Sequence, residues 1–283
     1  MKPMLKYRGG KSKEIPMITP YIPDYTGRYI EPFLGGGALY FHLEPEQSII
    51  NDVNTKLFTF YKGVKNDYDV IKNELKNLEK EYVSNRSKFD TLKTLTPNER
   101  VHDDNEELYY YIRSLFNDPE QTKYHPATIY YFINKLSYSG MIRYNKKGEF
   151  NVPYGRYKNF NTDLVNENHK KLLQRTEILN TDYTDVFKLA NENDFIFLDP
   201  PYDTQFSDYG NIETVDGFTE DMHVKLASDF KQLNCKSLMV IGRTPLTYDL
   251  YKDYIVHEYN KNYAVNIRNR FKAESSHILI TNY

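Results

Sequence analysis

The chain has 283 residues, 40% of them apolar, with 27 Tyr, no Trp and a formal net charge of −2, enough to bury the core of one or two domains. Its single cysteine, Cys235, excludes internal disulfides and any zinc site built on cysteines, and it fits a reducing compartment. No run approaches the ~18 apolar residues of a membrane span, and the start Met1-Lys-Pro-Met-Leu-Lys-Tyr-Arg8 has no apolar signal region, so a soluble cytoplasmic protein is expected.

The near-neutral sum hides an uneven distribution. Residues 1–13 hold Lys2, Lys6, Arg8, Lys11 and Lys13 with no acid. Residues 135–158 hold Lys135, Arg143, Lys146, Lys147, Arg156 and Lys158 against Glu149, and residues 261–272 hold Lys261, Arg268, Arg270 and Lys272 with no acid. Three basic islands on an acidic remainder mark either a polyanion-binding face or three solvated loops.

In chain order, the first island closes in Lys6-Tyr7-Arg8-Gly9-Gly10-Lys11. Its paired glycines let backbone turn close to a ligand, an ordinary turn being the alternative. Tyr29-Ile-Glu31-Pro-Phe33 reads as a short strand running into Leu34-Gly35-Gly36-Gly37-Ala38. A strand, a glycine turn and a helix start form the first nucleotide-binding unit of doubly wound folds. Glu31, ahead of the turn, suits a cofactor with a cationic amino group as well as a pyrophosphate. Ser48-Ile-Ile-Asn51-Asp52 is a second strand ending in an acid, where a ribose diol is usually held. Glu31, the glycines and Asp52 together point to an adenosine-bearing cofactor.

Residues 55–115 read as a helical insertion without a chemical signature of its own. Ile71, Leu75, Leu78 and Tyr82 recur on one helix face. Residues 94–107 read as a loop, 107–116 as a helix and 118–126 as a polar break, with His102 and His125 expected at the surface. After a helical run at 129–135, Arg143-Tyr-Asn145 and Phe150-Asn-Val152 flank Lys146-Lys147-Gly148 as a β-hairpin. Basic residues among aromatics suit nucleic acid, because Lys and Arg hold phosphates and Arg reads guanine in the major groove. A solvated hairpin is the alternative.

A helix at 166–174, a strand at Thr176–Leu179 ending near Asp182, and a helix at 186–190 lead to Phe195-Ile-Phe-Leu198-Asp199-Pro200-Pro201-Tyr202. Four apolar residues read as a buried strand, stopped by prolines that donate nothing to a ladder. Asp199 and Tyr202 then stand at the carboxyl end of a central strand, where open α/β sheets place ligands. The Asp199 carboxylate and the Pro200 carbonyl can both accept from an NH2 group, turning its lone pair towards an electrophile, while Tyr202 stacks on the attached ring. Residues 205–218 form a polar loop, a lid or plain surface. Met222, Leu226, Phe230 and Leu233 mark a helix; residues 237–241, 254–258 and 277–281 are strands, with His277 expected to be structural.

Five segments together resemble the Dam-type DNA adenine N6-methyltransferases of the α group: Leu5-Lys-Tyr-Arg-Gly-Gly-Lys11, Ile30-Glu-Pro-Phe-Leu-Gly-Gly-Gly37, Asn51-Asp-Val-Asn54, Gly148-Glu-Phe-Asn-Val-Pro-Tyr-Gly-Arg-Tyr-Lys158 and Leu198-Asp-Pro-Pro-Tyr202. The resemblance runs from Leu5 nearly to the C-terminus. It implies an α/β, Rossmann-like class I methyltransferase sheet with an inserted helical and β-hairpin target-recognition domain. Residues 1–58 and 160–283 would bind S-adenosyl-L-methionine and catalyse, and residues 59–159 would bind DNA. By the same resemblance Tyr7, Gly10, Lys11, Glu31, Phe33, Gly35, Gly37, Asp52, Asp182 and Asp199 serve the cofactor, and Asp199, Pro200, Pro201 and Tyr202 handle a flipped adenine. Lys6, Tyr138, Ser139, Met141, Arg143, Asn145, Lys147, Pro153, Tyr154, Arg156 and Lys158 fall in DNA-contacting segments. GATC is the first target the resemblance suggests, with neither metal nor covalent intermediate needed. Double-stranded DNA is the expected partner, with a cognate restriction endonuclease acting on the same site and a monomer or weak dimer in solution. Two departures stand out: Val240-Ile-Gly242-Arg243-Thr244 where relatives tend to carry Ser-Asn, and Ser139 where some carry Asn. Similar chemistry serves RNA and protein amino-methyltransferases, and a silent DNA-binding relative would keep the scaffold; the recognition hairpin and the intact cofactor residues argue against these.

Overall fold

The computed structural model describes residues 1–118, 120–202, 218–261 and 275–283. The expected lid, up to residue 217, and Arg268, Arg270 and Lys272 of the third basic island lie outside the described residues. In chain order the elements are α1 (Ile15–Ile18), β1 (Tyr29–Glu31), α2 (Ala38–Leu43), β2 (Ser48–Asn51), α3 (Thr55–Asn66), α4 (Tyr68–Leu95), α5 (Asp104–Asn117), α6 (Pro126–Leu136) and α7 (Glu167–Gln174). Then come β3 (Thr176–Leu179), α8 (Tyr183–Leu189), β4 (Phe195–Leu198), α9 (Glu220–Lys231), β5 (Lys236–Gly242), α10 (Pro245–Tyr251), β6 (Ile255–Lys261) and β7 (Ser275–Thr281).

The chain forms two compact units. The first comprises Met1–Lys11, Gly35–Glu44 and Asn54–Ile178 and is helical. Here α4 buries Ile71, Leu75, Leu78 and Tyr82, the face the periodicity marks. The helix runs on to Leu95, so the expected loop at 94–107 shrinks to residues 96–103. Its far half carries exposed Val83, Leu92 and Leu95 and an Arg86–Asp90 pair one turn apart, so no apolar stripe announces it. The helix α5 begins at Asp104, three residues before the expected start, because the Asp103 carboxylate accepts from the Asn105 amide at 3.0 Å. His125, expected at the surface, caps α6: its Nδ1 accepts from the Ala127 amide at 3.1 Å, with Pro126 at the first helical position. Phe60, Tyr130 and Tyr131 stack inside this unit.

The second unit comprises Ser12–Leu34, Pro45–Val53 and Leu179–Tyr283. Seven strands form one sheet in the order β3-β2-β1-β4-β5-β7-β6, with the chain passing from the first unit to the second within β3. The pairs β1–β2, β1–β4 and β4–β5 are parallel, while β7 runs antiparallel to β5 and to β6. All four residues of β4 are buried, as a central parallel strand covered on both faces requires. Ile30, Ile49, Ile196, Leu198, Met239, Ile241, Ile278 and Ile280 make the core with Leu226 and Phe230 of α9. The sheet is the mixed, mostly parallel α/β architecture expected from the sequence.

Candidate active site and nucleic-acid interface

Strand order reverses between β1 and β4: β1, β2 and β3 step outwards on one side, β4 and β5 on the other. Parallel pairing puts the carboxyl ends of β1, β2, β4 and β5 on one edge, and the crevice beside the reversal is where doubly wound sheets bind ligands. Glu31 ends β1 and Asp199 follows β4, so these two acids stand at the carboxyl ends of the strands on either side of the reversal. Glu31 is only 2% exposed, and its Oε2 accepts from the Tyr29 hydroxyl at 2.6 Å. Phe33, two residues after Glu31, packs at 5.4 Å, ring to ring, on Tyr183 and edge-on at 6.3 Å to Phe218.

The loops leaving β1, β2 and β3 are tied together by Asn51, a residue the sequence reading passes over. Its Nδ2 donates to the Pro32 carbonyl at 2.9 Å and the Thr181 carbonyl at 3.0 Å, its Oδ1 accepts from the Thr181 amide at 3.0 Å, and its own carbonyl accepts from the Leu34 amide at 2.9 Å. An amide is the side chain that donates and accepts at once, and an Asn at a strand tip before an acid was the available signal. Half-buried Asp52 follows it, its carbonyl accepting from Asn180 Nδ2 at 2.8 Å. Asp182 is exposed and caps α8, accepting from the Thr184 amide at 2.9 Å.

Beyond β4, Pro200 is buried while Asp199, Pro201 and Tyr202 are half-buried. The Tyr202 ring lies beside Gly242, where a Cβ would stand 3.5 Å from Cδ2 and 3.8 Å from Cγ. That spacing is an ordinary contact, so a serine at this departure from the family pattern would also fit. Arg243 turns away to Glu258 at 3.2 Å, and Thr244 caps α10.

In the first unit the glycine turn is shaped around Tyr7. Gly35 has φ +50°, and a Cβ there would lie 2.7 Å from Tyr7 Cε1; one on Gly36 would lie 2.8 Å from Tyr7 Cβ. Gly37, at φ +64°, opens α2, and the Tyr61 hydroxyl donates to the Gly35 carbonyl at 3.0 Å. The Gly10 amide closes a turn onto the Tyr7 carbonyl at 3.2 Å. Lys11 is 2% exposed, with its ammonium donating to the Gly9 carbonyl at 3.0 Å. A cation this deeply covered suits a compact site better than a solvated loop.

The same unit carries the hairpin. Bridges join Ser137 to Tyr154 and Tyr144 to Phe150, and Gly148 at φ +76° makes the turn. Asn145 builds that turn: its Oδ1 accepts from the Lys147 amide at 2.9 Å and the Glu149 amide at 3.0 Å. Tyr138, Ser139, Met141, Arg143, Lys147, Pro153, Arg156 and Lys158 are exposed. Arg143 Nε donates to Asn151 Oδ1 at 3.1 Å, which aims the guanidinium. Ser139 sits at φ 56°, a left-handed conformation that Asn adopts more readily than Ser. Arg156, at φ 53°, holds both oxygens of Glu106 at 3.1 Å.

Tyr154 departs from its expected place. It is 5% exposed, its hydroxyl shares a hydrogen bond with that of Tyr82, and its ring packs on Tyr109. Burial and the Tyr82 bond push its ionisation up, so its side chain is a neutral strut of the hairpin rather than a DNA-facing group. Lys6 is clamped through its backbone, amide to Asn134 Oδ1 at 2.8 Å and carbonyl from Asn134 Nδ2 at 2.7 Å. Its ammonium lies 3.8 Å over the Tyr157 ring and donates to the Lys135 carbonyl at 2.9 Å. Burial holds the Lys6 pKa below the usual lysine value.

The pattern matches proteins already described. A model of the D12 class N6 adenine-specific DNA methyltransferases matches residues 7–265. The chain is 35% identical to Type II methyltransferase M.CviBI of Paramecium bursaria Chlorella virus NC1A, with 100% of both chains covered. It is 32% identical to Type II methyltransferase M.MjaIII of Methanocaldococcus jannaschii over 100% of this chain and 99% of that one. With the Retron Ec67 DNA adenine methylase of Escherichia coli it shares 29% identity over 91% of this chain and 83% of the other.

Proposed function

The chain belongs to the D12 class N6 adenine-specific DNA methyltransferase family, and from that premise we propose that it transfers a methyl group from S-adenosyl-L-methionine to N6 of an adenine flipped out of double-stranded DNA. What supports this reading is that Glu31 and Asp199 stand at the carboxyl ends of β1 and β4, the two strands between which the strand order reverses. The donor set suits the cofactor's chemistry. In the second unit, buried Glu31 would take the amino group, Phe33 the adenine ring and Asp52 the ribose, with Asp182 nearby on the loop after β3. In the first, Tyr7, Gly10, Lys11, Gly35 and Gly37 are the cofactor candidates. When bound, S-adenosyl-L-methionine would supply an electrophilic methyl on sulfur.

The chain's own work is positional. Adenine N6 is inaccessible in the duplex, so the base leaves the stack at a cost of a few kcal/mol. Stacking on Tyr202, worth about 1–3 kcal/mol, offsets part of that. Asp199 and the Pro200 carbonyl accept from the two N6 hydrogens, which rotates the nitrogen lone pair out of ring conjugation and towards the methyl. As the methylated nitrogen becomes cationic, the Asp199 carboxylate faces the charge and the departing proton. Holding N6 in line is the main contribution to rate.

The DNA-facing set is Lys6, Tyr138, Ser139, Met141, Arg143, Lys147, Pro153, Arg156 and Lys158, supported by Asn145 and Tyr154 inside the hairpin. GATC is the target we put first, read in part by Arg143. The enzyme works in the cytoplasm of a prokaryotic or phage-infected cell; no helix among the described residues is long and apolar enough to cross a membrane. A restriction endonuclease of the same specificity is the partner this role implies. The test is Asp199→Ala: methylation of unmethylated genomic DNA is expected to vanish while gel-shift affinity for the same DNA stays within about threefold of wild type. Equal loss of both would remove Asp199 from the chemistry.

A further inference from the structure

Behind Tyr202 lies a buried carboxylate–imidazole pair that the mechanism above does not use. Gly242 of β5 stands opposite His277 of β7, and His277 stands opposite Tyr259 of β6. The three form one cross-strand row. The Tyr202 ring lies over this row, beside Gly242 and edge-to-face with the His277 imidazole at 5.2 Å and 83°. His277 is 1% exposed, and its Nδ1 lies 2.6 Å from Glu14 Oε2. The Tyr259 hydroxyl donates to the same oxygen at 2.7 Å, and its ring meets the imidazole at 5.7 Å. Glu14 is itself 5% exposed and comes from just before α1.

We infer that His277, pinned by Glu14 and Tyr259, is a positioning residue for the target base: it fixes the plane of the Tyr202 ring on which that base stacks. The 2.6 Å hydrogen bond between Nδ1 and the Glu14 carboxyl sets the imidazole's rotation. A ring held this way presents a fixed edge to the π-face or edge of Tyr202, and aromatic pairs prefer such edge-to-face geometry. Gly242 contributes by carrying no side chain between the sheet and the ring. The inference rests on the reading of Tyr202 as the base-stacking residue.

Two measurements test it separately from that reading. The chain has no tryptophan, so Tyr202→Trp installs a lone indole in the stacking position. Its anisotropy decay should show a fixed ring, and adding His277→Ala should introduce fast rotation; an unchanged decay overturns the inference. Steady-state methylation of DNA from a methylation-deficient host supplies the second readout. His277→Ala is expected to lower kcat about tenfold, with KM for DNA and for S-adenosyl-L-methionine within about twofold, since misplacing a reacting group costs rate more than binding. Tyr259→Phe removes a single hydroxyl from Glu14 and serves if His277→Ala does not fold, with kcat expected to fall about twofold to threefold. Unchanged kcat in a folded His277→Ala, or in Tyr259→Phe where the first variant fails, overturns the positioning role. Tyr202→Ala is the control on the premise. Wild-type methylation by that variant overturns both readings, and the indole decay then shows whether the ring was nonetheless held by His277.

Discussion

At the scale of single residues, two arginines of the hairpin make opposite predictions. Arg143 is exposed and its Nε is held by Asn151, and the proposed role is base reading. Arg143→Ala should relax discrimination at one base pair by about 1–3 kcal/mol while leaving other positions unchanged, read by competition binding against a panel of single-base variants; a uniform loss would make it a phosphate contact. Arg156→Ala should instead weaken binding about equally across the panel and reduce the salt slope by roughly one. Lys135 yields a pH prediction. Burial, then the charge of Lys6, pushes its pKa down to about 8 from 10.5. The folded value lies below the unfolded one, so between those pH values the unfolded chain binds more protons and this group's contribution to stability rises with pH. Lys135→Met should therefore raise the urea midpoint relative to wild type at pH 7 and lose that advantage by about pH 10. A constant difference across pH would mean that the ammonium is not strained in the folded state.

At the scale of elements, the glycine turn and the strand tips show how much the chain reveals in advance. The strand β4 is legible because four apolar residues meet two prolines, and its position at the centre of the sheet follows from burial on both faces. The turn at Gly35, Gly36 and Gly37 is legible as a turn, but its packing partner is Tyr7, nearly thirty residues earlier, which no local pattern specifies. Gly36→Ala is expected to destabilise the fold by about 1–3 kcal/mol in urea unfolding, because its Cβ would meet Tyr7 Cβ, an atom with little freedom to move. Combining it with Tyr7→Gly, which removes the clashing Cβ, should recover part of that loss; simple additivity would contradict the packing argument. The far half of α4 was hidden because an exposed helix has no apolar stripe. The link from Glu14 to His277 spans 263 residues, so only the folded sheet brings them together; the sequence marks His277 as structural without saying what it supports. Asn51 shows the intermediate case, a residue visible at a strand tip whose four bonds depend on three loops folding at once.

At the scale of the whole molecule, a net charge of −2 coexists with basic runs at residues 1–13 and 135–158. Local charge decides nucleic-acid binding, and DNA affinity should therefore fall steeply with salt despite the acidic total. The family match along residues 7–265, the strand-order reversal and the exposed hairpin all lead to one reaction. The most direct test is to express the protein in a host free of DNA methylation and sequence the host genome with a modification-sensitive method, beside Asp199→Ala. N6-methyladenine at one short motif, absent from the Asp199→Ala genome, is the predicted result. An unmodified genome from folded wild-type protein, or the same marks left by Asp199→Ala, would contradict it.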